Sequence, residues 1–136
     1  MKHRVKIGLS IALVMGLGMA ASGALAQQKT PPTRSEFMRA KLEFSGKVLE
    51  GLTVEDYAMI EKGAKALKKL SQAAEWEVPT IPSVPEYLVY TNEFQRLADE
   101  IAQKARDKNL DGATLAYVKL TMSCVHCHKY IRGPAH

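Results

Sequence analysis

The segment YAMIEKGAKALKKLSQAA, residues 57–74, has a clear helical periodicity. Apolar and small residues recur in it at alternating steps of three and four positions, which is the spacing of a seam that packs inside a helical bundle. The residues of this seam are Tyr57, Ile60, Ala64, Leu67, Ser71 and Ala74. The pattern predicts a helix at about 54–75 that buries one face against other helices.

A second helix precedes this segment at about 34–51. Thr33 and Glu36 have the spacing of a capping box, which predicts where this earlier helix begins, and Gly51 predicts its end. Thr53 with Asp56 then opens the helix of residues 54–75. Because the connection is so short, we expect the two helices to form an antiparallel hairpin.

Two further helices follow a proline-rich crossover. Residues 76–85 contain three prolines, which cannot continue a helix. The third helix is predicted at about 85–108 and the fourth at about 112–132, with a turn between them in which Asp111 is the expected cap. With no strand and no second domain in the pattern, the predicted fold is all-α: an antiparallel up-down-up-down four-helix bundle.

Helical spacing also predicts which residues of the other three helices face inward. On the first helix these are Phe37, Met38, Leu42, Phe44, Ser45, Val48, Leu49 and Leu52. On the third they are Tyr87, Tyr90, Phe94, Leu97, Ala98, Ile101 and Ala105. On the fourth they are Leu115, Val118, Met122 and Val125.

The N-terminus has the pattern of an export signal. Lys2, Arg4 and Lys6 precede an apolar run, and Ala24-Leu25-Ala26 has the A-x-A pattern of a cleavage site. We predict a signal peptide at residues 1–26, a polar lead-in at 27–33, a domain at 34–136 and a periplasmic location. The apolar run is short for a membrane span, so an uncleaved anchor is the weaker alternative and no span is expected in the mature chain.

Removal of the three cations in the signal lowers the formal net charge from +5 to +2. A charge so close to balance gives no support to nucleic-acid binding. The remaining basic cluster consists of Lys62, Lys65, Lys68 and Lys69. We interpret it first as a solvated helix face and second as a docking patch for an acidic partner.

The motif CVHCH at residues 124–128 contains the only two cysteines of the chain. Two thiols at this spacing followed by a histidine are the attachment pattern of a c-type haem, in which each thiol adds to one vinyl group of the porphyrin. We predict one covalent haem c per chain, held by Cys124 and Cys127 with His128 as the axial iron ligand. On a helix these three residues share one face and His126 points away, so the haem is expected near the end of the last helix.

Haem-free interpretations of the motif are remote alternatives. A thiol oxidoreductase is expected to have its Cys-x-x-Cys beside a βαβ unit, which this pattern lacks. A zinc site could use Cys124, Cys127, His128 and His136, but structural zinc sites usually separate two pairs of ligands by a longer loop. The chain shows no constellation of nucleophile and base or of paired carboxylates, so we do not expect an enzyme.

The motif and the helical pattern resemble the four-helix cytochrome c-prime and cytochrome c556 family. The resemblance includes Arg132, four residues after His128, and an Arg-x-x-x-Met pattern on the first helix formed by Arg34 and Met38. Ile131 stands where family members typically have an aromatic residue. The resemblance also implies a homodimer through the first two helices.

Within this resemblance, the residue that faces the iron from the side opposite His128 decides between two functions. Met38 as the sixth ligand implies six-coordinate iron and electron transfer with redox partner proteins of the periplasm. Leu42 at that place implies five-coordinate iron that binds small gases such as nitric oxide or carbon monoxide. Electron transfer is the predicted function and gas binding is the alternative.

Lys41 is unexpected, because it falls in the middle of the apolar arc of the first helix. Our first interpretation is that its long side chain extends along the bundle surface to reach solvent. The alternatives are an ion pair with a haem propionate, a role that Arg34 could share, and ligation of the iron.

Overall fold

The computed structural model describes residues 33–73 and 84–133. Within them lie four helices that pack against one another in sequence order, so the prediction of an all-helical bundle is confirmed. The helices are α1 (Arg34–Thr53), α2 (Tyr57–Ala73), α3 (Val84–Arg106) and α4 (Leu110–Arg132). The predicted signal peptide, most of the lead-in and of the crossover, Ala74 and His136 lie outside the described residues.

The start of α1 agrees with the predicted capping box. The Thr33 hydroxyl accepts a hydrogen bond from the Glu36 amide at 3.3 Å, and the Thr33 amide donates to Glu36 Oε2 at 2.8 Å. These two bonds satisfy donors that the first helical turn leaves without an intrahelical partner. The beginning of α1 is therefore determined by four neighbouring residues.

The corner between α1 and α2 differs from the prediction. Gly51 does not end α1, which continues to Thr53. Asp56, and not Thr53, caps α2, because its Oδ1 accepts the Met59 amide at 2.9 Å. Gly51 is required for another reason: a Cβ atom there would lie 2.9 Å from Cγ1 of Ile60. The glycine allows the two helices to approach closely just before the turn.

The corner between α3 and α4 also differs in detail. The chain leaves α3 through Lys108, whose φ of 53° lies in the left-handed region. Asn109 then caps α4 by accepting the Gly112 amide at 2.8 Å. The predicted cap, Asp111, lies within the first turn instead. An N-cap oxygen must precede the helix to reach an amide two or three residues ahead, and Asn109 is the residue in that place.

Pairs of polar residues show that α2 and α3 run antiparallel. Lys68 Nζ lies 2.6 Å from Asp99 Oδ2, and Arg106 Nη1 lies 3.0 Å from Glu61 Oε1. As the residue number falls along α2 it therefore rises along α3. Beside these pairs, fully buried aliphatic side chains of both helices belong to the hydrophobic core. Among these are Ile60, Leu67, Leu97 and Ile101.

The inward face predicted for α4 is wrong. Leu115, Val118, Met122 and Val125 are all exposed, and the buried residues of α4 are Ala113, Ala116, Leu120 and Ser123. This helix has apolar residues on two sides. The side with small alanines packs inward, because a small side chain lets the α4 backbone lie close to α3.

Leu42 and Leu49 of α1 were also expected inside and are exposed, Leu42 by 74% of its surface. The reason is that α1 packs closely on α2 but only slightly on α4, so nothing closes over this side of α1. None of the helices in the described ranges is long and apolar enough to cross a membrane. The separation of α1 from α4 leaves space for a site.

Candidate functional site

A cavity of about 1070 Å³ lies between α1 and α4, with α3 behind it. Its volume is at the upper end of the range of about 300–1,000 Å³ that is usual for small-molecule and cofactor sites. Aromatic side chains form much of its wall. These are Phe37, Tyr87, Tyr90, Phe94, Tyr117 and Tyr130. The arrangement suits a large, flat, mainly apolar ligand.

Cys124, Cys127 and His128 all line this cavity from the last turns of α4. Their spacing on the helix places all three on one side, and each is half-buried. Both cysteines are free thiols. Burial raises the pKa of both thiols, and the charge of Lys41 acts in the opposite direction. His126 is exposed and does not line the cavity.

A hydrogen-bonded contact joins α1 to α4 beside the cavity. Tyr117 Oη donates to the Ser45 carbonyl oxygen at 3.2 Å and lies 3.1 Å from Ser45 Oγ. The two residues are 72 positions apart, and neither was predicted to form such a pair. No local pattern in the sequence signals a contact of this kind. It defines how α1 and α4 are aligned along their lengths.

This alignment shows whether Met38 or Leu42 lies closer to the level of His128. Met38 is seven residues before Ser45, about 10 Å along α1, and His128 is eleven residues after Tyr117, about 16 Å along α4. Leu42 is only about 4 Å from the level of Ser45. Long side chains lean toward the N-terminus of their own helix, so Met38 and His128 lean toward each other's level. Met38 is half-buried in the cavity, whereas Leu42 lies at its exposed rim.

Lys41 points into the cavity, so the expectation that it extends along the surface is wrong. Its Nζ lies 4.9 Å from the centre of the Phe37 ring and 4.6 Å from that of Phe94. Attraction between the ammonium and the ring faces accounts for this position. Burial lowers the pKa of Lys41, while the neighbouring Cys124 and Cys127 act to raise it.

Arg34 is exposed and lines the cavity at the end where α1 begins. It is seven residues before Lys41, so the two cations are separated by about 10 Å along α1. The predicted site residues Arg34, Met38 and Lys41 therefore form one side of the cavity, facing the cysteines and histidine of α4.

The donor set fits a covalently attached haem. Two free thiols and an imidazole lie on one wall, a thioether lies on the facing wall, and aromatic rings surround the space between them. Among the residues that the structure describes, no group of three or more His, Cys, Asp or Glu side chains is arranged to hold a metal ion. His136, the fourth residue of the alternative zinc set, lies outside those residues.

Comparison of the chain with protein-family models, with curated proteins and with solved structures finds no match.

Proposed function

We propose that this chain is an exported c-type cytochrome that carries one haem c in the cavity between α1 and α4 and transfers electrons. The observation that supports this most is the shared position of Cys124, Cys127 and His128 on one wall of a large aromatic cavity. Haem, when bound, supplies a one-electron iron couple whose potential depends on the axial ligands and on burial. The cavity residues attach, orient and shield it.

The two cysteines would hold the porphyrin edge against the last turns of α4. The raised pKa of Cys124 and Cys127 favours the neutral thiol over the thiolate. Because the thiolate is the reactive form, both cysteines are less reactive toward other electrophiles. His128, one residue further along the same face, would hold the iron from the α4 side. The CVHCH spacing thus uses one helical turn to provide three attachment points.

Met38 is the proposed ligand on the α1 side. The alignment set by Ser45 and Tyr117 supports Met38 over Leu42, because Met38 lies closer to the level of His128 and is less exposed. Met38 and His128 would hold the iron with a thioether and an imidazole, a pair of ligands that would raise its potential and favour electron transfer over gas binding. Gas binding at a five-coordinate iron facing Leu42 is the alternative.

Arg34 and Lys41 are the proposed contacts for the haem propionates. Arg34 stands at the exposed end of the cavity, where a propionate would also meet water. Lys41 lies deeper, beside two aromatic rings. A propionate carboxylate there would place a negative charge next to its partly buried ammonium group. The redox partners would be other proteins of the periplasm, in keeping with the predicted signal peptide.

The spectrum of the reduced protein tests this proposal. The full chain, produced with export and haem-attachment machinery, is expected to be red, with a low-spin reduced spectrum that carbon monoxide leaves unchanged. Met38→Ala should become high-spin and bind carbon monoxide, whereas the matched control Leu42→Ala should keep the wild-type spectrum. A wild-type spectrum that shifts with carbon monoxide would contradict electron transfer and favour gas binding. A colourless product that binds zinc would overturn the haem proposal.

A further inference from the structure

A line of six residues runs along the outer side of α4 and takes no part in the cavity. The line consists of Asp111, Leu115, Val118, Met122, Val125 and Lys129. Its four apolar members are exposed by 57%, 52%, 49% and 41% of their surfaces, in chain order. Single exposed apolar residues are ordinary, but four in succession at the spacing of a packing seam form a continuous patch. We call this line the outer stripe.

The ends of the outer stripe carry opposite charges. Asp111 stands at the start of α4 and Lys129 in its last turn, and both are exposed. Neither forms an ion pair within the part of the chain that the structure describes. The stripe is therefore an apolar centre with an unpaired anion at one end and an unpaired cation at the other.

The spacing of the outer stripe is the same in both directions. Its steps are four, three, four, three and four residues, so a second copy turned end to end presents matching positions. In that antiparallel arrangement Asp111 meets Lys129 of the other copy, and the same pair recurs at the far end. Leu115 then meets Val125 of the other copy, and Val118 meets Met122. A parallel arrangement would instead place Asp111 against itself.

We propose that two copies of this chain associate through their outer stripes, with the α4 helices antiparallel about a two-fold axis near residue 120. The contact extends from residue 111 to residue 129, about 27 Å of helix. Opposite charges meet at both ends, the macrodipoles of the two helices oppose each other, and the apolar centre is removed from water. The contact closes on itself, which favours a dimer over a chain of copies.

The outer side of α2 is a poorer surface for such a contact. It carries Lys62, Lys65 and Lys69, all exposed, which would approach their own equivalents in a two-fold arrangement. The inferred dimer thus differs from one through the first two helices. It is also independent of the haem proposal, because no residue of the outer stripe lines the cavity.

Sedimentation of the full chain over a concentration range of about 1 µM to 1 mM tests the inference. The wild type is expected to convert from monomer to dimer. Val118→Glu should abolish the dimer, and Val89→Glu, at a somewhat more exposed site on α3, should not change it. Helicity by circular dichroism should stay at the wild-type level in both variants, because both positions are exposed.

Exchange of the two charges tests the antiparallel arrangement itself. Asp111→Lys and Lys129→Asp should each raise the dissociation constant by about ten-fold or more, because like charges then meet twice per dimer. The double variant Asp111→Lys with Lys129→Asp should restore much of the lost affinity. A wild type that stays monomeric, a dimer that survives Val118→Glu, a dimer abolished by Leu49→Glu on α1, or a double variant no better than the singles would overturn the inference. Replacement of both cysteines by serine should leave the dimer intact while removing any haem, so the two proposals fail separately.

Discussion

The seam between α2 and α3 and the seam between α1 and α4 are built in opposite ways. The first is closed by fully buried aliphatic residues, including Ile60 and Ile101, and by ion pairs at its edge. The second is held apart around a cavity and is joined by the contact of Tyr117 with Ser45. The first, which we call the closed seam, is therefore part of the packed core, and the second, which we call the open seam, contains the cavity.

Removal of a side chain from the closed seam should have the largest effect on stability. Ile101→Ala is expected to lower the free energy of unfolding by about 2–5 kcal/mol, because it leaves a cavity in a fully packed region. Urea denaturation measures this value. The control Val89→Ala, at a position 66% exposed, should change it by less than about 0.5 kcal/mol. Equal effects of the two substitutions would show that packing of the α2–α3 seam does not stabilise the chain.

Two glycines test how closely α1 and α2 are packed. A Cβ atom at Gly63 would lie 2.8 Å from Cγ2 of Val48, so Gly63→Ala should destabilise the chain by about 1–3 kcal/mol. Gly46 of α1 has no atom within 4 Å of such a position, so Gly46→Ala should stabilise the helix by about 0.5–1 kcal/mol. Thermal denaturation of both variants provides the comparison. A stabilising Gly63→Ala would contradict the close approach of α1 to α2.

Loss of the contact between Tyr117 and Ser45 in the open seam should lower the free energy of unfolding by less. Tyr117→Phe removes the hydroxyl that bonds to Ser45 and should cost about 0.5–1.5 kcal/mol, the usual net value of one hydrogen bond. Urea denaturation under the conditions used for Ile101→Ala gives the ratio of the two losses. A loss as large as that of Ile101→Ala would mean that α1 and α4 are held as tightly as α2 and α3.

Local signals in the sequence predicted the parts of the bundle that neighbouring residues determine. The capping box of Thr33 with Glu36 and the seam of Ile60, Ala64 and Leu67 are examples, because each depends on spacing within one helix. The inward face of α4 could not be predicted in this way, since both of its faces are apolar. The choice of Ala113 and Ala116 over the larger residues depends on how closely α3 approaches.

The residues of the candidate site could be predicted to lie together, but their surroundings could not. The spacing of CVHCH predicts that Cys124, Cys127 and His128 share one face of a helix, and the structure places all three on one cavity wall. The pair of Ser45 and Tyr117 joins residues far apart in the chain, so no pattern within either helix reveals it. For the same reason the position of Lys41 between rings from two different helices could not be inferred.

The pH dependence of stability tests the surroundings of Lys41 and should be the smallest effect. Burial lowers its pKa in the folded chain, so the unfolded chain binds one more proton between that lowered pKa and the ordinary value of a lysine. In the haem-free chain, the free energy of unfolding of the wild type should therefore rise relative to Lys41→Met as the pH increases through this window. The raised pKa of the two cysteines makes stability fall over its own pH window, and it is raised further in Lys41→Met because the charge of Lys41 is lost, so this effect adds to the relative rise of the wild type.

Lys47 provides a control for this measurement. It lies exposed beside Glu50, whose hydrogen bond raises the pKa of Lys47, so the pH dependence caused by this residue has the opposite sign. The free energy of unfolding of the wild type should therefore not rise relative to that of Lys47→Met over the same pH range. A difference between wild type and Lys41→Met that does not vary with pH would place the Lys41 ammonium in water.

Covalent attachment of haem tests most directly that the open seam is a cofactor site. The full chain, produced with export and haem-attachment machinery, is unfolded in denaturant, separated from small molecules and examined for bound haem by its spectrum. We predict that the wild type keeps one haem per chain and that Cys124→Ser with Cys127→Ser keeps none, while the helical content of the double variant is retained. A wild-type chain that emerges colourless would contradict the account.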